Sequence, residues 1–518
     1  MKKRSNLIIL VLFVLGSFIS CSDDLDTNPT NQQGGNIMLE KPEGGQAVMN
    51  GIYRAMYSSG WGSEWLSENS GIMAYVMTAD IMGEDHVVRE QGQGWFYYDY
   101  WLQVASDYTS SAGRSYQTWN FFYTIVNNAN EIIGKENVWE EDVLKDAVLG
   151  QAYAIRAFAY YFLSQFFQQA YAEGSNLPGV PLYMKPTTKE TKGEPRGTLE
   201  NVYSQMENDI DDAIEYLKSA EDAGWGREHP SNIDYYVANG IKARIALAHG
   251  VNYQRVLDGA MEALSKDRLA VIPIGDFAGW NKKDVANVLW ALEVISTQSE
   301  HYNGFFSHMD ADAEGLYASV SRKLISTGLY NLIPDTDERK SAWWREPMAE
   351  QDEEKGNSKV SYCQTKFRFA STANRIGDYL IMRAEEMVLA AAEAECRLGH
   401  FDNARELMKT LGNKRDANYE ARLAAMTNNA SYGNDTNTAP TTLMEEILFQ
   451  RRVELWGEHP RSFDLKRLRL GYTTRYAESN HSVTKEVGVA DKRLVLPIPL
   501  AEFDGNENMV FPNDQNPM

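Results

Sequence analysis

The stretch "AEAECRLGHFDNARELM", residues 392–408, decides how this chain folds. Alanines crowd its first half, Gly399 interrupts it, and Phe401 and Ala404 follow. A glycine just past a helix can take the left-handed conformation that ends it. The aromatic ring and the small alanine then let the next helix pack closely on the first. The stretch reads as two helices joined by a tight turn.

Helical periodicity spreads outward from this turn. In "TLENVYSQMENDIDDAIEYLKSA", Leu199, Val202, Tyr203, Met206, Ile210, Ala213, Ile214 and Leu217 recur at spacings of three and four, placing one apolar stripe on one face. "DYLIMRAEEMVLAAAEAECRLG" repeats the pattern through Leu380, Ala384, Met387, Val388, Ala391, Ala394 and Leu398. A further helix is expected from about Asp142 to Tyr171, carrying "AIRAFAYYFLSQFF". Another starts at Thr442, where Thr442 and Glu445 form a capping-box pattern before "ILFQRRVELW". The turn at Gly399 resembles the inter-helix turn of a tetratricopeptide repeat, although no clean repeat period emerges. Strand-like pieces, "RLAVIPI", "VLWALEVIS" and "RLVLPIP", and long loops rich in Gly, Asn and aromatics lie between the helices. The expected fold is mostly α, a loop-decorated helical chain with irregular repeats at most and a few short strands.

The N-terminus reads separately. Lys2, Lys3 and Arg4 precede "LIILVLFVLGSFIS", an apolar run that ends at Ser20, and Cys21 follows. Basic residues, a short apolar region and a small residue at its end are the layout of a secretory signal. The run is short for a spanning helix, which needs about 20 apolar residues. A cysteine at the first mature position resembles the acceptor of a bacterial lipoprotein signal, with Phe18 where leucine is usual. The acidic "SDDLD" behind it resembles an export signal to the outer face of the outer membrane. Residues 1–20 are thus expected as signal peptide, 21–45 as a polar tether, and 46–518 as one helical domain, with an N-terminal part to about 260 and a C-terminal part from about 261. Cys363 and Cys396 read as small core residues, since no metal spacing of Cys and His exists in the sequence.

Acids exceed bases by 72 to 50, a formal net charge of −22, and removal of the signal takes three bases away. That balance argues against a general nucleic-acid binder, which needs a basic face for phosphates. It also disfavours docking on anionic lipid and suits a neutral ligand better.

Several segments in order resemble the SusD/RagB family: the lipoprotein cysteine, "AIRAFAYYFLSQFF" with Arg156, "YLIMRAEEMVLAAAEA", "RRVELWGEHPRSFDLKR" and the closing "LPIPLAEFDGNENM". Arg452, Glu454, Glu458, Arg461, Asp464 and Arg467 fall on that family's charged C-terminal pattern, with His459 where glycine is more usual. The resemblance implies an irregular tetratricopeptide-like helical superhelix with a loop-rich capping region. It also implies a surface-exposed, lipid-anchored glycan-binding subunit that partners a TonB-dependent, SusC-like outer-membrane transporter, with no cofactor. A peptide ligand for the same kind of transporter is the alternative. The charged motif reads as structural, its arginines and acids pairing across the turn between two helices.

The ligand site is expected in two aromatic loops. "VREQGQGWFYYDYWLQ" gathers Arg89, Trp95, Phe96, Tyr97, Tyr98, Tyr100 and Trp101 after two glycines. Four consecutive rings cannot share one face of a helix, so a helix would bury only part of the set, and an alternating strand would likewise place half of them in the core. A flat ring with a polar edge, as Trp and Tyr provide, matches the C–H face of a sugar. "STQSEHYNGFFSHMDADAEG" adds Tyr302, Asn303, Phe305 and Phe306. By the resemblance these are the regions that carry ligand contacts. Trp95, Tyr98 and Trp101 form the expected platform, with Tyr302 facing them, Phe305 beside it, and Arg89 and Asn303 as hydrogen-bonding groups.

A glycoside hydrolase is the other class, since it works through two positioned carboxylates. Pairs such as Asp80 with Glu84 or Asp310 with Glu314 exist but are easy to find among 72 acids. No HExxH, GxSxG or Walker A pattern occurs. Asp310–Gly315 opens like a calcium loop, but its twelfth position is Ser321 where a bidentate glutamate is needed.

Overall fold

The computed structural model of the protein describes residues 39–58, 68–102, 113–277, 279–299, 302–354, 356–433 and 435–517. The apolar leader, Cys21 and most of the expected tether lie outside the described residues. The chain is mostly helical, with short strands. Its longer helices are α1 (Pro42–Ala55), α2 (Ile72–Ile81), α3 (Gly113–Ile133), α4 (Val143–Phe167), α5 (Leu199–Asp222), α6 (Tyr235–His249), α7 (Tyr253–Leu264), α8 (Ala384–Arg397), α9 (Phe401–Gly412), α10 (Leu443–Glu454) and α11 (Arg461–Leu468). From α3 to α9 each helix packs on the next, and α7 meets α8 although a long loop region separates them in sequence. This serial stacking is the tetratricopeptide-like arrangement. α1 begins inside the segment expected as tether, with Pro42 in its first turn, where the missing N–H breaks no bond.

Local chemistry accounts for the stack. Gly399 has φ 82°. The N–H of His400 donates to the Glu395 carbonyl at 2.9 Å, and that of Gly399 to Cys396 at 3.2 Å. These paired bonds close the C-terminus of α8. Ala394 and Ala404, on either side of the turn, are fully buried. The capping box at α10 forms as its sequence predicts: Glu445 N–H donates to Thr442 Oγ1 at 3.1 Å, and Thr442 N–H to Glu445 Oε2 at 3.1 Å. Cys363 and Cys396 are buried free thiols.

Strands form antiparallel pairs: β1 (His86–Val88) with β5 (Lys323–Ile325), β2 (Pro178–Pro181) with β3 (Arg196–Thr198), β4 (Val288–Leu292) with β6 (Tyr379–Arg383), and β7 (Tyr472–Thr473) with β8 (Glu486–Val487). β6 departs from the sequence reading, which continued the α8 stripe back through Leu380. Pairing with β4 claims Tyr379–Arg383 as strand, and the helix starts only at Ala384. "RLAVIPI" forms no strand either. Pro273 has no N–H to give a ladder, and the carbonyls of Val271 and Ile272 accept from Lys414 and Arg415 at 2.5 and 2.6 Å. "RLVLPIP" holds two prolines and runs as a helical turn, Lys492–Leu494, followed by irregular chain.

The charged motif of α10 and α11 is structural, but its partners differ from the expected ones. Of the six residues, Arg467 and Asp464 pair with each other at 2.7 Å. The rest reach across the molecule. Buried Glu454 accepts from Arg339 at 2.9 Å, Arg383 at 3.0 Å and Arg415 at 2.9 Å. Burial alone would raise its carboxyl pKa, but Arg415 and Arg383 hold it well below the usual range. Glu458 takes Arg383 and Lys366. Arg452 binds Asp85 at 2.6 Å, and Arg461 binds Glu84 at 2.8 Å. The turn after α2 thus delivers Glu84 and Asp85 to the motif, and β1, directly after them, starts the loop region that carries the aromatic segment.

Candidate functional site

β1 and β5 bring the two aromatic loops together. Val88 pairs with Lys323, and the ribbon continues as Arg89 N–H donates to the Arg322 carbonyl at 3.2 Å. Ser321 Oγ donates to the Glu90 carbonyl at 3.0 Å. Beyond this clamp the chain turns at Gln91–Gly94 and enters a helical turn, Tyr97–Tyr100. Asp99 is gripped by Arg114, on the first turn of α3, through bonds of 3.0 and 2.9 Å. The Phe96 N–H donates to Glu68 at 2.8 Å. The segment is therefore pinned at both ends.

Pinning sorts the rings. Phe96 and Tyr100, one turn apart, are buried, with Tyr100 OH bonded to His481 at 2.9 Å. Tyr98 and Trp101 stand out, 48% and 44% exposed. Tyr97 lies between them, its ring centroid 6.3 Å from each. Gly94 permits this, since a Cβ there would lie 2.7 Å from the Tyr98 ring, and its φ is 103°. Gln91 Nε2 donates to the Tyr98 hydroxyl at 3.2 Å.

Trp95 is half-buried and packs on Tyr317, centroids 4.5 Å apart. Tyr317 stacks in turn on His308 at 4.6 Å and donates its hydroxyl to Asn303 Oδ1 at 3.4 Å. The structure thus unites Trp95 with Asn303 through Tyr317, a residue that sequence reasoning missed. The signal was a lone tyrosine two residues beyond Gly315, in a stretch read for calcium instead of stacking. Tyr302, 57% exposed, is covered on one face by the Arg375 guanidinium at 4.3 Å. Arg89 pairs with Glu353 at 2.8 Å. Burial pulls its pKa down, but the bond to Glu353 raises it above the ordinary arginine value, so Arg89 stays charged at the rim.

Phe305 leaves the candidate set. It is 3% exposed and packs edge-on against Phe367 and Tyr379 at 5.2 and 6.1 Å, so neither face is open to a ligand. Phe306 is buried beside it. The reason is the short helix Phe305–Met309, whose start is held by a bond from Phe305 N–H to Tyr379 OH at 3.0 Å.

The acids considered for catalysis or calcium are largely committed elsewhere. Asp80 accepts from the N–H groups of Gly457 and Arg461, and Glu84 from the Arg461 side chain. Asp310 accepts from the N–H groups of Asp312 and Phe369, while Asp312 pairs with Arg368. Among the described residues no group of three His, Cys, Asp or Glu side chains could hold a metal ion.

The fold has counterparts. The SusD family model matches residues 317–518, and a second, described as starch-binding associating with outer membrane, matches 68–232. The chain belongs to the SusD family. SusD-like protein P2 of Formosa agariphila is 23% identical to it over 99% of each chain. A SusD-like carbohydrate binding protein from Bacteroides vulgatus superposes with a TM-score of 0.72 at 21% identity, covering 92% of this chain and 98% of its own. Surface glycan-binding protein A from Bacteroides uniformis does so at 0.65 and 15% identity, covering 92% and 99%. These solved structures share the SusD-family fold seen here.

Proposed function

We propose that this SusD-family protein binds glycan on the platform of Trp95, Tyr98, Trp101 and Tyr302, holds it without cleaving it, and delivers it to a TonB-dependent transporter. Cys21 carries the lipid that keeps it on the outer face of the outer membrane. The observation that carries the reading is the exposure of Tyr98, Trp101 and Tyr302 on loops otherwise clamped by buried bonds. Exposed, pre-positioned rings lose little side-chain freedom on binding, which favours affinity. Asn303 and Arg89 supply hydrogen bonds beside them. Outer-membrane association and starch binding in the description of the matched family model support the same reading.

Affinity electrophoresis against a panel of polysaccharides tests it. Retardation by at least one glycan with no new reducing ends is the expected result. Release of reducing ends, or retention only on a peptide matrix, would overturn it.

A further inference from the structure

A second cleft lies away from the platform, on another face of α3. Its volume is about 280 Å³, just under the low end of the usual range for small-molecule pockets, about 300 Å³. It suits one ring better than a chain. Three segments build it: α3 through Trp119, Tyr123 and Asn127, the stretch after β2 through Tyr183 and Thr188, and the C-terminal turn Leu500–Gly505 with Asn506 behind it.

The walls are fixed before any ligand arrives. Glu502 accepts from Trp119 Nε1 at 3.1 Å, Tyr183 OH at 3.1 Å and Asn506 Nδ2 at 2.8 Å. The Tyr123 hydroxyl donates to the Pro181 carbonyl at 2.7 Å. Both tyrosines therefore spend their polar tips on the protein and present ring surface, set edge to face with centroids 5.6 Å apart. Asn127 Oδ1 accepts from the Thr187 N–H and hydroxyl at 2.7 and 2.9 Å, which leaves its amide N–H groups as donors. Among the described residues no lysine or arginine lines the cleft, so an anion meets no counter-charge from them there. Rings, a held carboxylate, an amide and threonine hydroxyls together match a neutral polyol with one apolar face.

We propose that this cleft is a second binding site that takes a single neutral sugar ring, independently of the platform. A pyranose would lay its C–H face on Tyr123 or Tyr183, donate hydroxyls to Glu502 and accept from Asn127.

Saturation-transfer NMR on the full chain in detergent tests it, with the methyl glycosides of glucose, galactose, xylose and rhamnose as probes. At least one should receive saturation, with a Kd of about 1 mM. Ala501→Trp, which fills the cleft from its half-exposed rim, should weaken that glycoside by at least about tenfold, while Trp101→Ala leaves it unchanged. Asn127→Ala should give a similar loss without adding bulk, which keeps the test valid if the tryptophan variant fails to fold. The proposal is overturned if no probe binds, if Ala501→Trp and Asn127→Ala bind as wild type does, or if Trp101→Ala alone abolishes the signal. Tetramethylammonium competing for the cleft in place of the glycosides would also overturn it and mark a cation cage. Failure of the platform would show separately, as unchanged polysaccharide retardation in Trp101→Ala.

Discussion

At the scale of single residues, exposure separates the proposed binding rings from core rings. Trp101→Ala should weaken glycan binding by at least about 1 kcal/mol, the scale of one aromatic contact, with no fall in melting temperature. Phe305→Ala should do the reverse, costing about 3–5 kcal/mol of stability while the folded fraction binds normally. Titrations of retardation and urea unfolding on the two variants check the pair. Trp95 sits between these cases because it leans on Tyr317. Two histidines set an acid limit. Burial and the nearby Arg451 lower His459 to about 3, and burial with Lys485 lowers His481 to about 3. Between the unfolded value of about 6.5 and 3 the unfolded chain binds protons that the folded chain refuses. Stability is therefore full above pH 6.5 and falls as pH drops through that window. His481→Gln should flatten the fall in urea midpoint between pH 6.5 and 4, and an unchanged slope would remove His481 from the account.

At the scale of elements, the turn between α8 and α9 can be tested without steric side effects. A Cβ on Gly399 meets nothing within 4 Å. Gly399→Ala should therefore cost only the left-handed backbone, about 1–2 kcal/mol, read as a lower urea midpoint with an unchanged slope. A larger loss would mean that the turn has contacts beyond its two backbone bonds. The aromatic turn Tyr97–Tyr100 differs from such a helix end. Too short to hold itself, it depends on Arg114 and His481, both distant in sequence.

At the scale of the whole molecule, the charged motif ties α2 and the loop region to the C-terminal helices. Glu454→Gln leaves Arg339, Arg383 and Arg415 facing a neutral amide in the interior. It should cost about 3–5 kcal/mol by urea unfolding and lower the yield of folded protein before it affects binding. Anchoring and partnership belong to this scale too. Cys21→Ala should release the protein from outer-membrane fractions, while wild type pellets with them and is cut by protease on intact cells. Wild type drawn from mild detergent with glycan present should bring a large β-barrel with it. A Cys21→Ala protein that still pelleted and stayed protease-accessible would falsify the lipid anchor.

The sequence by itself determined what neighbours along the chain decide. The stripe through Leu199–Leu217, the capping box at Thr442 and the glycine turn at 399 rest on spacings of three or four residues and on caps. Each therefore reads directly as helix or helix end. The family was legible in the charged motif. Tyr98 and Trp101 were legible as candidates within a cluster of rings too many for one buried face, and Tyr302 only through the family resemblance. What only the tertiary structure decided depends on residues far apart. Leu380 follows a helical stripe, yet β4 makes it strand, because the ladder is completed by a segment some ninety positions away. The arginines and acids of the motif looked self-sufficient, but low-dielectric burial favours whichever opposite charge is brought in with good geometry. Those charges came from the turn after α2, from β6 and from the loops. Tyr317, which joins Trp95 to Asn303, carried no local mark. Its role exists only because β1 and β5 lay two loops side by side, and pairing across such a distance leaves no period in the sequence.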